Sequence, residues 1–237
     1  MKLRRRIAWA LGYDLLRIRK SSSSEALTRQ LMMKAQPSLV FDVGGNEGQF
    51  AHEALTSPGH HKVVSFEPLS QAHAILEAKA KSVDRWQVAP RCAIGDEKSI
   101  SKINISSFSG SSSLRGMNET HLKAAPTTAY CGEESVDVLR LDDIGKGYIE
   151  PRDRIYLKVD TQGYEKNVLD GATGIMPQVV AMQVEVAFAE LYNGETLAFD
   201  LIPEVLAQGL SLFGFCNGLR EKSTGRLLQA DAFFIRA

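Results

Sequence analysis

Apolar residues follow two rhythms along this chain, and the rhythm changes near residue 36. Leu3, Ile7, Leu11, Leu15 and Ile18 step by four, four, four and three, which places them on one helical face. The run Ser21 to Ser24, followed by Glu25, reads as a linker ending in a helix N-cap, with a short helix over 25–35. Beyond it, short apolar runs alternate with helical stretches. Strands are predicted at 39–43, 62–66, 86–89, 155–160 and 179–186, with helices at 46–56, 70–82, 164–170 and 197–208. Such alternation predicts βαβ units, hence a mostly parallel sheet with helices on both faces. Two late strands, 210–215 and 232–235, are joined by Gly-containing sequence and predict an antiparallel edge. Residues 98–141 break the rhythm. They alternate polar and apolar and carry Ser-Gly-Ser-Ser-Ser at 109–113, which predicts hairpin strands and a long loop inserted into the sheet. The organisation expected is a helical extension over 1–36 and one α/β domain over 37–237.

Composition narrows the classes. With 237 residues, 44% apolar and 24% charged, the chain can bury a proper core. Lys+Arg and Asp+Glu are 28 each, which excludes a whole-chain basic field for nucleic acid. No apolar run reaches the ~18 residues of a membrane span. Cys92, Cys131 and Cys216 show no CxxC spacing, which argues against a disulfide scaffold or a Cys zinc site and fits a reducing cytoplasm. The charge is uneven: residues 1–20 carry seven basic side chains against Asp14, a net of +6, which leaves −6 on the rest. Asp14 interrupts the apolar stretch and no small-residue cleavage site follows, so this is not read as a signal peptide. It is either a basic amphipathic helix making peripheral contact with the inner membrane surface, or a cap packed on the domain.

The first βα turn carries the strongest chemical signal, Phe41-Asp42-Val43-Gly44-Gly45-Asn46-Glu47-Gly48-Gln49. Glycines there let a ligand touch the backbone. The dinucleotide pattern G-x-G-x-x-G is absent, because Val43 stands where its first Gly should be, and the Walker pattern is absent too. Asp42 would repel a pyrophosphate but suits the ammonium of an amino-acid-like ligand such as S-adenosylmethionine. Glu67, 23 residues after Gly44 at the end of the second strand, has the spacing of a ribose-binding acid. The turn at Ala93-Ile94-Gly95-Asp96 would lie beside the adenine, with Ile94 on its face and Asp96 accepting from its amino group.

These blocks make the chain resemble the FkbM-type S-adenosylmethionine-dependent methyltransferases, from about Leu39 to Ile235. Further matching blocks are Phe66-Glu67-Pro68, Ser112-Ser113-Leu114, Leu141-Asp142-Asp143-Ile144, Leu157-Lys158-Val159-Asp160-Thr161-Gln162-Gly163-Tyr164-Glu165, Leu169-Asp170-Gly171-Ala172 and Val184-Glu185-Val186. The resemblance implies a seven-stranded, Rossmann-like class I methyltransferase fold. It also implies O-methylation of a hydroxyl, often on a saccharide or natural product. The candidate cofactor residues are Phe41, Asp42, Gly44, Gly45, Asn46, Gly48, Gln49, Glu67, Pro68, Ala93, Ile94 and Asp96. Two departures stand out: Gly45 where the family usually has Ala, and Gln162 where many members have Glu.

Methyl transfer needs an aligned nucleophile and an acceptor for one proton. An Asn/Asp-Pro-Pro-aromatic motif for nucleobase amines is absent after the fourth parallel strand, where Asp160-Thr161-Gln162-Gly163 stands, and no Cys has the setting of a cytosine-C5 nucleophile. A hydroxyl acceptor remains. The catalytic candidates are Asp160, Glu185 and Lys158, with Asp160 and Glu185 at neighbouring strand ends able to take a proton or share a divalent cation. The competing structural roles are an Asp160 that accepts from backbone amides of the Gly163 turn, a Glu185 that pairs with Lys158, and a His121 that is exposed rather than a base. The acceptor is expected to be a small molecule or glycan, not nucleic acid, bound by 98–135 and the region after Glu185 that includes Tyr192-Asn193. The alternatives are a catalytically weak cofactor-binding module in a glycan-assembly complex, and a methyltransferase acting on RNA or protein.

Overall fold

The computed structural model describes residues 23–236. The basic stripe of residues 1–20 lies outside the described residues, and the expected membrane contact with it. The chain enters through α1 (Ser24–Ala35), capped one residue earlier than its serine run suggests: Ser23 Oγ accepts from the Ala26 N–H at 3.1 Å. Five buried strand residues, β1 (Leu39–Val43), lead into α2 (Gln49–Thr56). Next come β2 (Lys62–Phe66), α3 (Ser70–Ala80), β3 (Trp86–Val88) and β4 (Ala93–Gly95). The insertion follows as β5 (Ser99–Ser106), α4 (Glu119–Ala124) and β6 (Tyr130–Arg140), ending in the one-turn α5 (Leu141–Ile144). The parallel pattern resumes with β7 (Ile155–Val159), α6 (Glu165–Asp170), β8 (Val179–Ala187) and α7 (Ala198–Ala207). The last two strands are β9 (Leu210–Asn217) and β10 (Gln229–Arg236).

Seven strands form one sheet in the order β3-β2-β1-β7-β8-β10-β9, with β10 antiparallel to both neighbours. This is the class I methyltransferase arrangement. Strands β1 and β7 are buried along their whole length because helices cover both faces of the sheet. Alternate residues serve the two sides. Phe41, Leu157, Met182 and Phe234 face a core closed by Val168 and Leu169 of α6 and Leu201 and Val205 of α7. Val40, Val63, Tyr156 and Phe233 face the other core, closed by Leu27, Leu31 and Met32 of α1, Phe50 and Ala54 of α2, and Leu76 of α3. Each large apolar side chain buried there contributes roughly 1.5–3 kcal/mol.

One expectation is corrected. The 98–141 segment does not enter the main sheet. Strands β5 and β6 pair antiparallel, and β4, read as a turn from the sequence, pairs parallel with β6 to make a separate three-stranded sheet. Its apolar side, with Ile103, Val136 and Val138, packs on Leu69, the residue before α3, and on Ala72 of α3. The 107–129 connection therefore hangs over the carboxyl ends of the main strands.

Candidate functional site

The chain runs outward from β1 to β3 and returns at β7, so the order reverses between β1 and β7. Ligands of open α/β sheets bind outside the strand ends at such a point. A cleft of about 380 Å³ lies there, within the size range of small-molecule sites. Its floor is the glycine turn. Gly44 and Gly45 both donate to the Phe66 carbonyl at 3.0 Å. Gly44 has φ +78°, and a Cβ on it would lie 1.9 Å from the Asp160 carbonyl oxygen, so no larger residue fits. The Asn46 and Leu69 N–H groups donate to the two Glu67 oxygens at 2.7 and 2.8 Å, which fixes that carboxylate against the cleft. Burial pushes Glu67 up to about 7, against the lowering effect of those two donors.

Beneath the turn a polar row crosses the sheet. Ser65, Asp42 and Lys158 are register partners on β2, β1 and β7 and so share a face. Trp86 Nε1 donates to Ser65 Oγ at 3.0 Å, and Ser65 Oγ donates to Asp42 Oδ2 at 3.0 Å. Lys158 Nζ lies 3.4 Å from Asp42 and 3.6 Å from Asp160, and donates to the Gly44 carbonyl at 2.8 Å. Burial works against the lysine charge, but Asp160 and Asp42 outweigh it and hold its pKa above the usual range. Lys158 is therefore held toward its charged form and ties the glycine turn to β7. Burial raises the Asp42 carboxyl, while Lys158 and the Ser65 hydroxyl oppose it. The expected contact between Asp42 and a ligand ammonium is corrected: Asp42 is 0% exposed and its cation is Lys158.

The second cluster sits where β7 and β8 end. The turn Asp160 to Tyr164 is pinned from inside by Glu165, whose Oε1 accepts from the Thr161 and Gly163 N–H groups at 2.9 and 3.2 Å. Those amides therefore serve Glu165, not Asp160. The Asp160 side chain is 37% exposed and lines the cleft. Gln162 Nε2 donates both to Asp160 Oδ1 at 2.8 Å and to Glu185 Oε2 at 2.6 Å. Glu185 makes no pair with Lys158; burial first, then Asp160, Glu165 and Asp231, push its pKa well up, which favours the protonated carboxyl. Tyr192, fully buried, donates its hydroxyl to Gln162 Oε1 at 2.6 Å.

Of the predicted cofactor residues, Gly44, Gly45, Asn46, Gln49, Glu67, Pro68, Ala93 and Ile94 line the cleft. Phe41 does not: it faces the opposite core, edge-on to Phe66 at 5.5 Å. Gly48 caps α2, and a Cβ there would lie 2.5 Å from the Trp86 ring, so it serves packing. Asp96 turns away and accepts from Asn167 Nδ2 at 2.9 Å. His121 is buried, not exposed; its Nε2 bonds Thr128 Oγ1 at 3.1 Å, its ring lies 5.1 Å from Tyr192, and burial lowers its pKa. Several cleft residues had no sequence signal: Glu53, Gln183 and Asp231, which other elements bring to the wall, and Phe108, 61% exposed at the rim. The insertion is tied in by Ser109 Oγ to Asn46 Oδ1 at 3.0 Å and Ser113 Oγ to the Gln162 carbonyl at 2.7 Å.

The methyltransferase FkbM domain matches residues 42–212, well over half of the sequence. The chain belongs to the FkbM methyltransferase family. Among solved structures, this FkbM methyltransferase chain resembles the FkbM methyltransferase of Methylobacillus flagellatus at 16% identity and a TM-score of 0.54. The match covers 84% of this chain and 43% of that one, so the chain spans less than half the length of that relative. It also resembles an rRNA methylase of Streptococcus thermophilus at 7% identity and a TM-score of 0.50, covering 94% and 99% of the two chains. Both likenesses concern the fold. A comparison with curated protein sequences finds no match. The cleft chemistry fits S-adenosylmethionine. Ala93, Ile94, Pro68 and Leu114 offer an apolar slot for a base and Glu67 a carboxylate for a ribose, while Lys158, the one cation among the described lining residues, is already paired. A pyrophosphate would find no free counter-charge on that wall. Among the described residues no helix is long and apolar enough to cross a membrane.

Proposed function

We propose that this chain transfers a methyl group from S-adenosylmethionine to a hydroxyl of a saccharide or related polyol, with Asp160 accepting the hydroxyl proton. The observation that carries the reading is the placing of Asp160. It stands at the carboxyl end of β7, part-exposed to the cleft, beside the glycine turn. Lys158 at 3.6 Å and Gln162 at 2.8 Å hold its two oxygens from below, which fixes the carboxylate without covering it. S-adenosylmethionine, when bound, supplies a methyl carbon already activated by its sulfonium. The residues then have three tasks. Glu67 accepts from the ribose hydroxyls, and Ile94 with its apolar neighbours covers the base. Lys158 keeps the turn and β7 in register, so that the methyl donor and Asp160 meet at one place. Asp160 orients the acceptor hydroxyl and takes its proton as the new bond forms, a contribution of about 10²–10⁴ in rate.

Polar lining supports a hydroxyl-rich acceptor: Gln49, Gln183, Ser109 and Ser112 face the cleft. Phe108 at the rim presents a ring on which the apolar face of a sugar can rest. The test is a screen with radiolabelled methyl donor against nucleotide sugars, lipid-linked glycans and polyketides. Label recovered in a base-stable ether supports the proposal. Label in an amine or an ester, with none in an ether, rejects it.

A further inference from the structure

Gln162 occupies the place a divalent cation would need between Asp160 and Glu185. Its single amide nitrogen stands 2.8 Å from one carboxylate and 2.6 Å from the other. A cation shared by these strand ends would have to sit at that point, with oxygen ligands at about 2.0–2.6 Å. The orientation of the amide is determined by its third bond, the Tyr192 hydroxyl donating to Oε1 at 2.6 Å. Turned over, the amide would set its oxygen against the Asp160 carboxylate and give up both of its donations, to Asp160 and to Glu185. The backbone holds the residue equally firmly. Gln162 has φ +57°, a left-handed conformation that persists in a non-glycine residue only where neighbours enforce it. Ser113 Oγ donates to its carbonyl, and Gly163 lies so close to Tyr192 that a Cβ would come within 2.7 Å. Admitting a cation would break the three side-chain bonds and leave the buried Tyr192 hydroxyl only its long bond to the Ser111 carbonyl at 3.4 Å.

The geometry points to Gln162 as the positioning residue for Asp160, doing with a neutral amide what a bridging metal would do, and closing the site to divalent cations. A neutral amide fixes the carboxylate without adding a dication to the Lys158 ammonium that already lies 3.6 Å from it. Methyl transfer by this chain is then independent of divalent metals. The positioning role rests on Asp160 as the proton acceptor; the exclusion of metal does not.

The experiment titrates Mn²⁺ alone into the full chain and reads free Mn²⁺ by electron paramagnetic resonance, for wild type, Gln162→Glu, and Gln162→Glu with Asp160→Asn. Wild type shows no saturable binding. Gln162→Glu, which adds a third carboxylate between the other two, binds one Mn²⁺, and Asp160→Asn removes that binding. One Mn²⁺ bound by wild type and lost on Asp160→Asn overturns the inference, and so does a Gln162→Glu chain that binds none. With an acceptor in hand, Gln162→Ala lowers kcat by ~10- to 100-fold through misplacement of Asp160 while KM for S-adenosylmethionine stays within about twofold. Wild-type turnover is unchanged by chelator; strong stimulation by Mg²⁺ overturns the inference. The Mn²⁺ readout needs no turnover, so it decides the matter even if the hydroxyl acceptor is wrong.

Discussion

Replacing Lys158 by Met removes the cation beneath the glycine turn and leaves Asp42 alone there. Met keeps most of the aliphatic stem, so the packing loss is small. The electrostatic loss is not. Asp42 is 0% exposed, its Oδ2 has only the Ser65 hydroxyl, and its Oδ1 has no partner but the Lys158 ammonium at 3.4 Å. Removing one member of a buried pair costs about 3–5 kcal/mol. The Gly44 carbonyl also loses its 2.8 Å donor, about 1 kcal/mol more. The penalty depends on pH, with a sign that follows from burial. Burial already raises Asp42, and Lys158 is the largest opposing influence. Without it the folded pKa climbs further, while the unfolded value stays near about 3.9. An acid with a raised folded pKa contributes stability that is present below its unfolded pKa and lost as pH rises through the folded one. The Lys158→Met deficit therefore grows as pH rises from the wild-type folded pKa of Asp42 toward the higher one of the variant, by up to about 1.4 kcal/mol per unit. Urea denaturation at several pH values measures it. Asp42→Asn combined with Lys158→Met removes both charges and recovers much of the loss. A deficit independent of pH, or a double variant no better than the single one, would refute the reasoning.

Other outcomes follow from the same geometry. Glu67→Ala weakens S-adenosylmethionine binding by ~1.5–3 kcal/mol, the scale of a charge-assisted hydrogen bond. Because Glu67 titrates at about 7 and must be ionised to accept from both ribose hydroxyls, wild-type affinity measured by calorimetry strengthens as pH rises through that value, whereas Glu67→Gln shows a flat profile. Gly163→Ala combines φ +93° with a Cβ 2.7 Å from that of Tyr192, a cost of roughly 2–5 kcal/mol, and lowers the melting temperature by on the order of 10 °C; a shift under about 3 °C would show that Tyr192 can move aside.

Where the sequence was legible, one residue's environment depended on its own neighbours in the chain. The buried runs of β1, β2, β7 and β8 and the helices between them obey period rules, and the glycine turn advertises itself by composition. Glu67 is readable because its distance from Gly44 is a property of one βαβ unit. Legibility failed where partners come from distant segments. Asp42 looks like a ligand group at a strand end, but its fate is decided by Lys158, 116 residues later and its register partner on the adjacent strand. Strand β4 is three residues long and takes its identity from β6, so local pattern reads it as a turn. The clamp of Gln162 joins Asp160, Glu185, Tyr192 and Ser113, four residues from three parts of the chain. His121 looked exposed because a short helix in a polar loop gives no sign that it folds back on Tyr192.

The central claim is that Asp160 accepts the proton of a hydroxyl in a cleft built to hold S-adenosylmethionine. Its most direct test measures two quantities on Asp160→Asn: affinity for S-adenosylmethionine by calorimetry, and turnover with the hydroxyl acceptor. The substitution keeps the shape and the cleft but withdraws proton acceptance. The account predicts affinity within about threefold of wild type and turnover lower by ~100-fold or more. Turnover equal to wild type, with affinity intact, would contradict it.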